Sequence, residues 1–457
     1  MTHTVNKSVV VEAPPSKSLS HRKLVASSLA VGTTCLSRVL ESDDTERTIA
    51  VLRNVGAAIE RTGPGAYAIT GVGGSPRGGR RSPVSCFMGE SGTSCRLLTA
   101  ILAAGQGVFF LHGATRLQER PLADLLETLG FLGATIRFQG EPGCLPLTLF
   151  ARPLVQPAGS WLPVRADLSS QFLSGLLLAG PLTPEGLRLE LAGDRVASWP
   201  YVGLTLQTLE DSGCVVSASI LEDGLWRETD WRTLETAHPG ATRFTVPPGA
   251  YRPLAGDSAT IEGDYSGASY LLAAGALGPR PVTVGNLRRH SLQGDRVIVD
   301  ILEEMGAVVV WNGNAATVFP SPLRGVRRDM RHCPDLVPTV AVLASMATGQ
   351  TILEGVGNLR FKESDRLTAP VTELAKVGAN VLVTGDAMAI LPSTMRSECR
   401  ISFSAHNDHR MAMSLALLEL AGLHVALDDP SCVRKSFPSF WKVWRAIHPQ
   451  TRFIEDI

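Results

Sequence analysis

Pro14-Pro15-Ser16-Lys17-Ser18-Leu19-Ser20-His21-Arg22 is the stretch on which the reading of this chain turns. The proline pair stops a strand that reads Val9-Val10-Val11, because proline brings no N–H to a ladder. Small hydroxyl residues stand where a helix then begins, and they can cap its first backbone N–H groups. Lys17 and Arg22 add positive charge beside those donors, which outlines an anion site. An apolar run, Leu24-Val25-Ala26-Ser27-Ser28-Leu29-Ala30, continues the helix, and Gly32 leads to a further strand.

The same order of small polar patch, Ala/Leu-rich helix, glycine and strand returns five times. It recurs at Gly92-Thr93-Ser94, Ser169-Ser170-Gln171, Asp264-Tyr265-Ser266, from Asp335 onward, and at Asn407-Asp408-His409-Arg410. With Lys17, Gly92, Ser169, Asp264, Asp335 and Asp408 as markers, the steps are 75, 77, 95, 71 and 73 residues. A period this long excludes a solenoid of small repeats, so each unit is predicted to be a βαβ-type assembly. Six polar helix N-termini, if they converge, would sum their partial positive charges into an anion-attracting cavity.

Bulk properties narrow the function. The 457 residues, 44% hydrophobic and 19% charged, suffice for two or more soluble globular domains. Lys+Arg and Asp+Glu both total 43, so no net field draws nucleic acid, and an anionic ligand must be held by a local cluster. The eight cysteines (Cys35, Cys86, Cys95, Cys144, Cys214, Cys333, Cys399, Cys432) show no zinc-type spacing and read as reduced thiols of a cytoplasmic protein. Residues 1–7 lack an apolar core, and the run from Met411 to Leu427 is broken by Glu419, Gly422 and His424, so neither a signal peptide nor a membrane span is expected.

Along the chain, Glu41-Ser42-Asp43-Asp44-Thr45 reads as the cap of a helix over 49–55, and 63–79 as a glycine-rich turn region. Its Gly71-Val72-Gly73-Gly74 is not a dinucleotide fingerprint, because Pro76 and Pro83 follow where a helix is needed. There is no phosphate loop of the G-x-x-x-x-G-K-[ST] kind. Gly89-Glu90-Ser91-Gly92-Thr93-Ser94 permits close backbone approach to a ligand or is simply a capped helix. Arg116-Leu117-Gln118-Glu119-Arg120-Pro121 reads alone as a solvated face before an amphipathic segment at 122–132. Ser169 and Ser170 suit an oxyanion or plain capping, and Ser198-Trp199-Pro200-Tyr201 a structural turn. The looser stretch 221–253, anchored by Trp226, Trp231 and Tyr251, is expected to hold an inter-domain crossover. Asn358-Leu359-Arg360-Phe361-Lys362-Glu363-Ser364-Asp365-Arg366 reads as a helix entry with Lys362 and Arg366 on one face, either a surface ion-pair network or a catalytic one.

Seven motifs in order resemble one family, 5-enolpyruvylshikimate-3-phosphate synthase, also called 3-phosphoshikimate 1-carboxyvinyltransferase. They are Pro15-Ser16-Lys17-Ser18, Gly92-Thr93, Glu119-Arg120-Pro121, Ser169-Ser170-Gln171, Lys362-Glu363-Ser364-Asp365-Arg366, Asn407-Asp408-His409-Arg410-Met411-Ala412 and Arg434-Lys435-Ser436-Phe437-Pro438, and they span nearly the whole chain. The resemblance implies an α/β, two-domain enolpyruvyl transferase fold of six βαβαββ repeats, three per domain. One domain would comprise 1–15 plus 263–457, the other 16–262.

It further implies transfer of the enolpyruvyl group of phosphoenolpyruvate to the 5-hydroxyl of shikimate 3-phosphate, with release of phosphate. By position in the motifs, shikimate 3-phosphate would be held by Lys17, Ser18, Arg22, Ser169, Ser170, Gln171, Ser198, Tyr201, Asp335 and Lys362. Phosphoenolpyruvate would be held by Lys17, Gly92, Arg120, Gln171, Arg366, Arg410 and Lys435. Asp335 would take the hydroxyl proton, Glu363 would protonate the methylene carbon, and Lys17 with His409 would assist proton transfer and the departing phosphate. No metal or organic cofactor is called for, and a cytoplasmic monomer without nucleic-acid or membrane partners is expected. Glyphosate would compete beside Gly92, where Glu90 and Leu97 replace the frequent asparagine and proline; Tyr265 replaces a small residue. Two rivals are a UDP-N-acetylglucosamine enolpyruvyl transferase, which carries a cysteine in the loop reading 116–121 here, and a non-catalytic homologue that binds a phosphorylated sugar acid.

Overall fold

Three nearly fully buried helices organise each of the two compact units into which the chain divides, one of residues 17–261 and one of residues 8–16 with 262–451. The computed structural model describes residues 8–392 and 400–451. The leader reading of residues 1–7 and the thiol reading of Cys399 lie outside the described residues.

In the unit of residues 17–261 the inner helices are Lys17–Leu29, Gly92–Ala103 and Gln171–Ala179. The last two pack directly on each other. Gly175 makes that approach possible, because a Cβ there would lie 2.9 Å from the Arg96 carbonyl oxygen. The polar residues of Lys17–Leu29 are buried with partners: Ser20 Oγ accepts from Leu40 N at 3.0 Å, and Lys23 Nζ donates to Thr260 O at 3.4 Å. Outer helices Asp43–Asn54, Ala123–Phe131 and Trp199–Asp211 complete three modules.

The clearest module runs Val84–Phe87, helix, Gly107–His112, helix, Thr135–Phe138, Leu147–Ala151, with the fourth strand placed between the second and third. Its first two strands are parallel and the rest antiparallel, a βαβ unit closed by a hairpin. The other two vary. Thr33–Leu36, Ala66–Thr70 and Ala58–Gly63 form a three-stranded sheet, flanked in parallel by Thr260, which bridges Ser37. The third sheet has five strands in the order Leu162–Arg165, Leu187–Ala192, Thr242–Val246, Ser217–Glu222, Leu225–Thr229.

In the other unit the inner helices are Tyr265–Leu277, Val337–Ser345 and His409–Ala416. Strand Val9–Glu12 joins Val282–Gly285 in parallel and heads a four-stranded sheet with Ala315–Phe319 and Val308–Asn312. Arg327–Asp329, Thr351–Glu354, Ala387–Leu391 and Asn380–Thr384 repeat that order. The last module keeps a parallel pair, Arg400–Phe403 with His424–Leu427. The described residues thus form six sheets, three per unit, and the α/β class read from the sequence is the observed one.

Four local readings are corrected. The region 63–79 is not all turn, since it contains strand Ala66–Thr70. The helix expected over 49–55 starts earlier, at Asp43, where Ser42 caps it. The stretch 221–253 holds the outer hairpin of the five-stranded sheet and strand Thr242–Val246, and the division between units falls after it, at residue 261. Residues 362–366 are not helical: a 3-10 turn ends at Phe361, Lys362 is extended, and the helix begins only at Thr368. Among the described residues no helix is long and apolar enough to cross a membrane.

The added hairpin is held by a cation between two rings. The Arg243 guanidinium lies 4.4 Å from the Trp161 ring centre and 3.7 Å from that of Trp226, and its Nε donates to Glu190 Oε2 at 2.6 Å. Arg243→Ala should therefore lower the unfolding free energy by about 1–3 kcal/mol in urea titrations, with Arg243→Lys between it and the parent. Equal midpoints for all three proteins would show that the stacking contributes nothing.

Candidate functional site

In the unit of residues 17–261, one connected polar cluster gathers around the starts of the three inner helices. Lys17 Nζ lies 3.2 Å from Asp44 Oδ2. Ser94 Oγ donates to the Asp44 carbonyl at 3.3 Å and to Ser91 Oγ, the cap of the second inner helix, at 2.7 Å. Thr93 Oγ1 accepts from Gln171 Nε2 at 3.0 Å, and Gln171 Oε1 accepts from Arg96 Nη1 at 3.1 Å. Ser169 Oγ accepts from Gln171 N at 3.2 Å, and Ser170 Oγ donates to Ser198 O at 3.3 Å. Ser198 sits in the left-handed region (φ 56°) as it turns the chain into the helix that carries Tyr201.

Arg22 ties this cluster to the fold. Its Nε donates to Thr205 Oγ1 at 2.8 Å, Nη2 to Tyr201 O at 2.8 Å and Nη1 to Ser18 O at 3.0 Å. Burial lowers its pKa to about 10, which still leaves it charged at neutral pH. His21 beside it is pushed down to about 3 by burial and is neutral, its Nδ1 2.8 Å from Thr48 Oγ1. Gly92 lies beneath two guanidinium groups: a Cβ there would stand 2.7 Å from Arg120 Nη1 and 3.0 Å from Arg96 Nη1. The structure therefore brings Lys17, Ser18, Arg22, Gly92, Arg120, Ser169, Ser170, Gln171, Ser198 and Tyr201 into one neighbourhood. Arg96 and Asp44 belong to it as well, although the sequence reading passed them over; Arg96 stands one helical turn after Gly92, which was the available signal.

In the other unit the centre is Arg366, 1% exposed. Its Nη1 donates to Asp335 Oδ1 at 2.8 Å, Nη2 to Glu363 Oε2 at 2.8 Å, and Nε to Asp408 Oδ2 at 2.7 Å. Arg410 Nη2 donates to Asp335 Oδ2 at 2.8 Å, Lys362 Nζ lies 3.5 Å from Asp335 Oδ1, and Lys435 Nζ lies 3.7 Å from Glu363 Oε1. Asp408 caps the third inner helix through Arg410 N at 2.9 Å, and His409 Nδ1 is 3.8 Å from its carboxylate. All seven predicted residues of this unit, Asp335, Lys362, Glu363, Arg366, His409, Arg410 and Lys435, thus share one charge network. Asp408, not predicted as a site residue, is its hub beside Arg366.

The network fixes protonation. Burial would raise the Asp335 pKa, but Arg410, Lys362 and Arg366 outweigh it and hold the carboxyl far below the usual range. Asp408 is likewise held low against burial by Arg366 and His409, and the carboxylates raise Arg366 despite its burial. Asp295 behaves oppositely. It is 1% exposed, one oxygen meets Ser266 Oγ, and Oδ1 has no hydrogen-bond partner among the described residues. Burial, then the negative charge of Asp335, pushes it up to about 7.

Comparison with known proteins places the chain. A fold of this kind is shared with solved enolpyruvyl transferases. The EPSP synthase of Acinetobacter baumannii matches with a TM-score of 0.72 at 25% identity, over 96% of this chain and 95% of that one. The enolpyruvyl transferase NikO of Streptomyces tendae matches in fold, with a TM-score of 0.69 at 18% identity, over 96% of this chain and 94% of that one. The family described as EPSP synthase (3-phosphoshikimate 1-carboxyvinyltransferase) matches residues 2–225 and 234–444. Proteins named 3-phosphoshikimate 1-carboxyvinyltransferase from Cellvibrio japonicus and Ralstonia pickettii are 36% and 37% identical, each over 96% of both chains. The chain belongs to the EPSP synthase family. The unmatched residues 226–233 include most of the outer strand of the added hairpin.

Asp295 gives a pH test. Its folded pKa is raised above that of an unfolded aspartate, so its stabilising contribution is complete below about pH 4 and is lost as pH rises through about 7. Asp295→Asn, which cannot ionise, should gain on the parent by roughly 2–4 kcal/mol between pH 4.5 and 8 in denaturant titrations. A constant difference across that range would show that Asp295 titrates normally.

Proposed function

We infer that this chain transfers the enolpyruvyl group of phosphoenolpyruvate to the 5-hydroxyl of shikimate 3-phosphate and releases phosphate. The observation that carries the reading to the level of residues is the holding of Asp335 by Arg366, Arg410 and Lys362. Both substrates bring carboxylate and phosphate oxygens, the partners that planar guanidinium groups bind best. A bound anion would compete with Asp335 for these cations, and each one withdrawn would raise the proton affinity of Asp335 toward that of a working base.

Residue roles follow the chemistry. The 5-hydroxyl oxygen adds to the substituted carbon of the enol phosphate as Asp335 takes the hydroxyl proton and Glu363 gives a proton to the methylene carbon. The tetrahedral intermediate then loses phosphate and returns the methyl proton, regenerating the double bond. Lys17 and His409 stabilise and protonate the departing phosphate. Lys17, Ser18, Arg22, Ser169, Ser170, Gln171, Ser198, Tyr201, Asp335 and Lys362 are assigned to shikimate 3-phosphate. Lys17, Gly92, Arg120, Gln171, Arg366, Arg410 and Lys435 are assigned to phosphoenolpyruvate. The names of the relatives favour this acceptor over UDP-N-acetylglucosamine and a catalyst over a binding homologue. The same reading makes the protein a cytoplasmic monomer.

Phosphate release that requires both shikimate 3-phosphate and phosphoenolpyruvate is the expected result with purified protein. Glu363→Gln should cut turnover by about 10²-fold or more while substrate affinity changes far less. Release with UDP-N-acetylglucosamine alone as acceptor would overturn the reading, and parent-level turnover of Glu363→Gln would overturn the carbon-acid role.

Gly92→Ala probes the guanidinium pair separately. The new methyl group must displace the flexible ends of Arg120 and Arg96, which costs little folding energy but moves Arg120, assigned to phosphoenolpyruvate, and the neighbouring Arg96. The KM for phosphoenolpyruvate should rise about tenfold with the melting temperature nearly unchanged. An unchanged KM would place those cations away from that substrate.

A further inference from the structure

The turn that delivers Asp408, His409 and Arg410 is held in an unusual backbone state. His406 and Asn407 have φ values of 52° and 51°, the only two successive non-glycine residues in the left-handed region among the described residues. Asparagine and histidine tolerate that region better than most residue types, yet any side chain with a Cβ disfavours it, and here two do so in a row. Persistence of such a turn requires the surroundings to over-determine it.

Two carboxylates do so from opposite sides. Glu373, 1% exposed on helix Thr368–Ala375, accepts from Ser404 N at 2.9 Å through Oε2, and its Oε1 lies 3.0 Å from His406 Nε2. Lys376 Nζ donates to the same Oε2 at 2.7 Å and to Ser402 O at 3.0 Å, so the carboxylate also reaches the strand that feeds the turn. On the other side Asp428 accepts from Ala405 N at 2.7 Å and from Ser404 Oγ at 2.6 Å. Ser404 Oγ in turn accepts from His406 N at 3.1 Å, and Asp408 N closes the turn on Ala405 O at 2.9 Å. The very next residue, Asp408, grips Arg366 and caps the helix of His409 and Arg410.

We propose that Glu373 is a positioning residue for the reaction: with Asp428 it clamps residues 404–407 in their left-handed turn and thereby sets where Asp408, His409 and Arg410 point. The proposal rests on the reading of those three as parts of the working site. Glu373 acts through the turn and bonds none of the substrate-assigned groups directly, so the effect of its loss must depend on the backbone preference of residue 406.

That dependence is the test. Glu373→Ala should lower kcat/KM for phosphoenolpyruvate by about tenfold or more, and Glu373→Gln, which keeps an acceptor for Ser404 N–H, should lose less. Adding His406→Gly to Glu373→Ala should recover most of the loss, since glycine enters the left-handed region without a Cβ penalty. A double variant no faster than Glu373→Ala, or Glu373→Ala at the parent kcat/KM, overturns the clamp. Should Glu373→Ala fail to fold, the same pairing of His406→Gly with Glu373→Gln and with Asp428→Asn decides it. If the parent releases no phosphate from the two substrates, it is the functional reading that fails. The clamp is then judged by melting temperature, where His406→Gly must raise the Glu373 variant more than it raises the parent.

Discussion

A buried guanidinium with three carboxylates around it is the constraint on which the charge network of residues 335–435 depends. Arg366 cannot be left unpaired at 1% exposure, and neither can Asp408, which is fully buried beside it. Removing either partner of such a pair costs far more than the pair contributes, so the arrangement is held rigid by the penalty for breaking it. The surroundings keep a tally: Arg366, Arg410, Lys362 and Lys435 face Asp335, Glu363 and Asp408, four cations against three carboxylates. Asp295 would even the balance if ionised, but burial and the nearness of Asp335 oppose that.

The unit of residues 17–261 assembles its polar cluster from different groups. There the donors are mainly helix starts, hydroxyls and an amide, with Lys17, Arg96 and Arg120 as the charged members. Hydroxyls and backbone N–H groups carry no desolvation cost comparable to that of a full charge, and of the charged members Lys17 is answered by the Asp44 carboxylate at 3.2 Å. Arg22 is a further charged member, and its guanidinium meets carbonyl and hydroxyl oxygens of its own unit.

What was legible in the sequence was mostly local. Helix starts at Lys17, Gly92, Asp264 and Asp408 are written in prolines, small hydroxyls and capping carboxylates, whose effects extend only a few residues. The α/β class followed from their recurrence. What escaped was decided at long range. Lys362–Arg366 has helical spacing, but Arg366 must meet Asp335 and Asp408, which lie 31 and 42 residues away in sequence, and those bonds override propensity. Strand Ala66–Thr70 was hidden by glycines that flank it without interrupting it. Glu373 looks like any surface helix residue until the turn at 404–407 is seen beside it.

Among the described residues, strand Val9–Glu12 pairs only with Val282–Gly285, about 270 residues further along the chain. On the ribosome, at about 5–20 residues per second, this valine-rich strand waits roughly 15–55 s for its partner. The intervening unit is one continuous run of chain and is synthesised in that interval. An unpaired strand of that composition is a template for pairing with other nascent chains. Pro14 and Pro15 close that template on its C-terminal side, so the element that ends the strand in the folded protein also guards that end during synthesis.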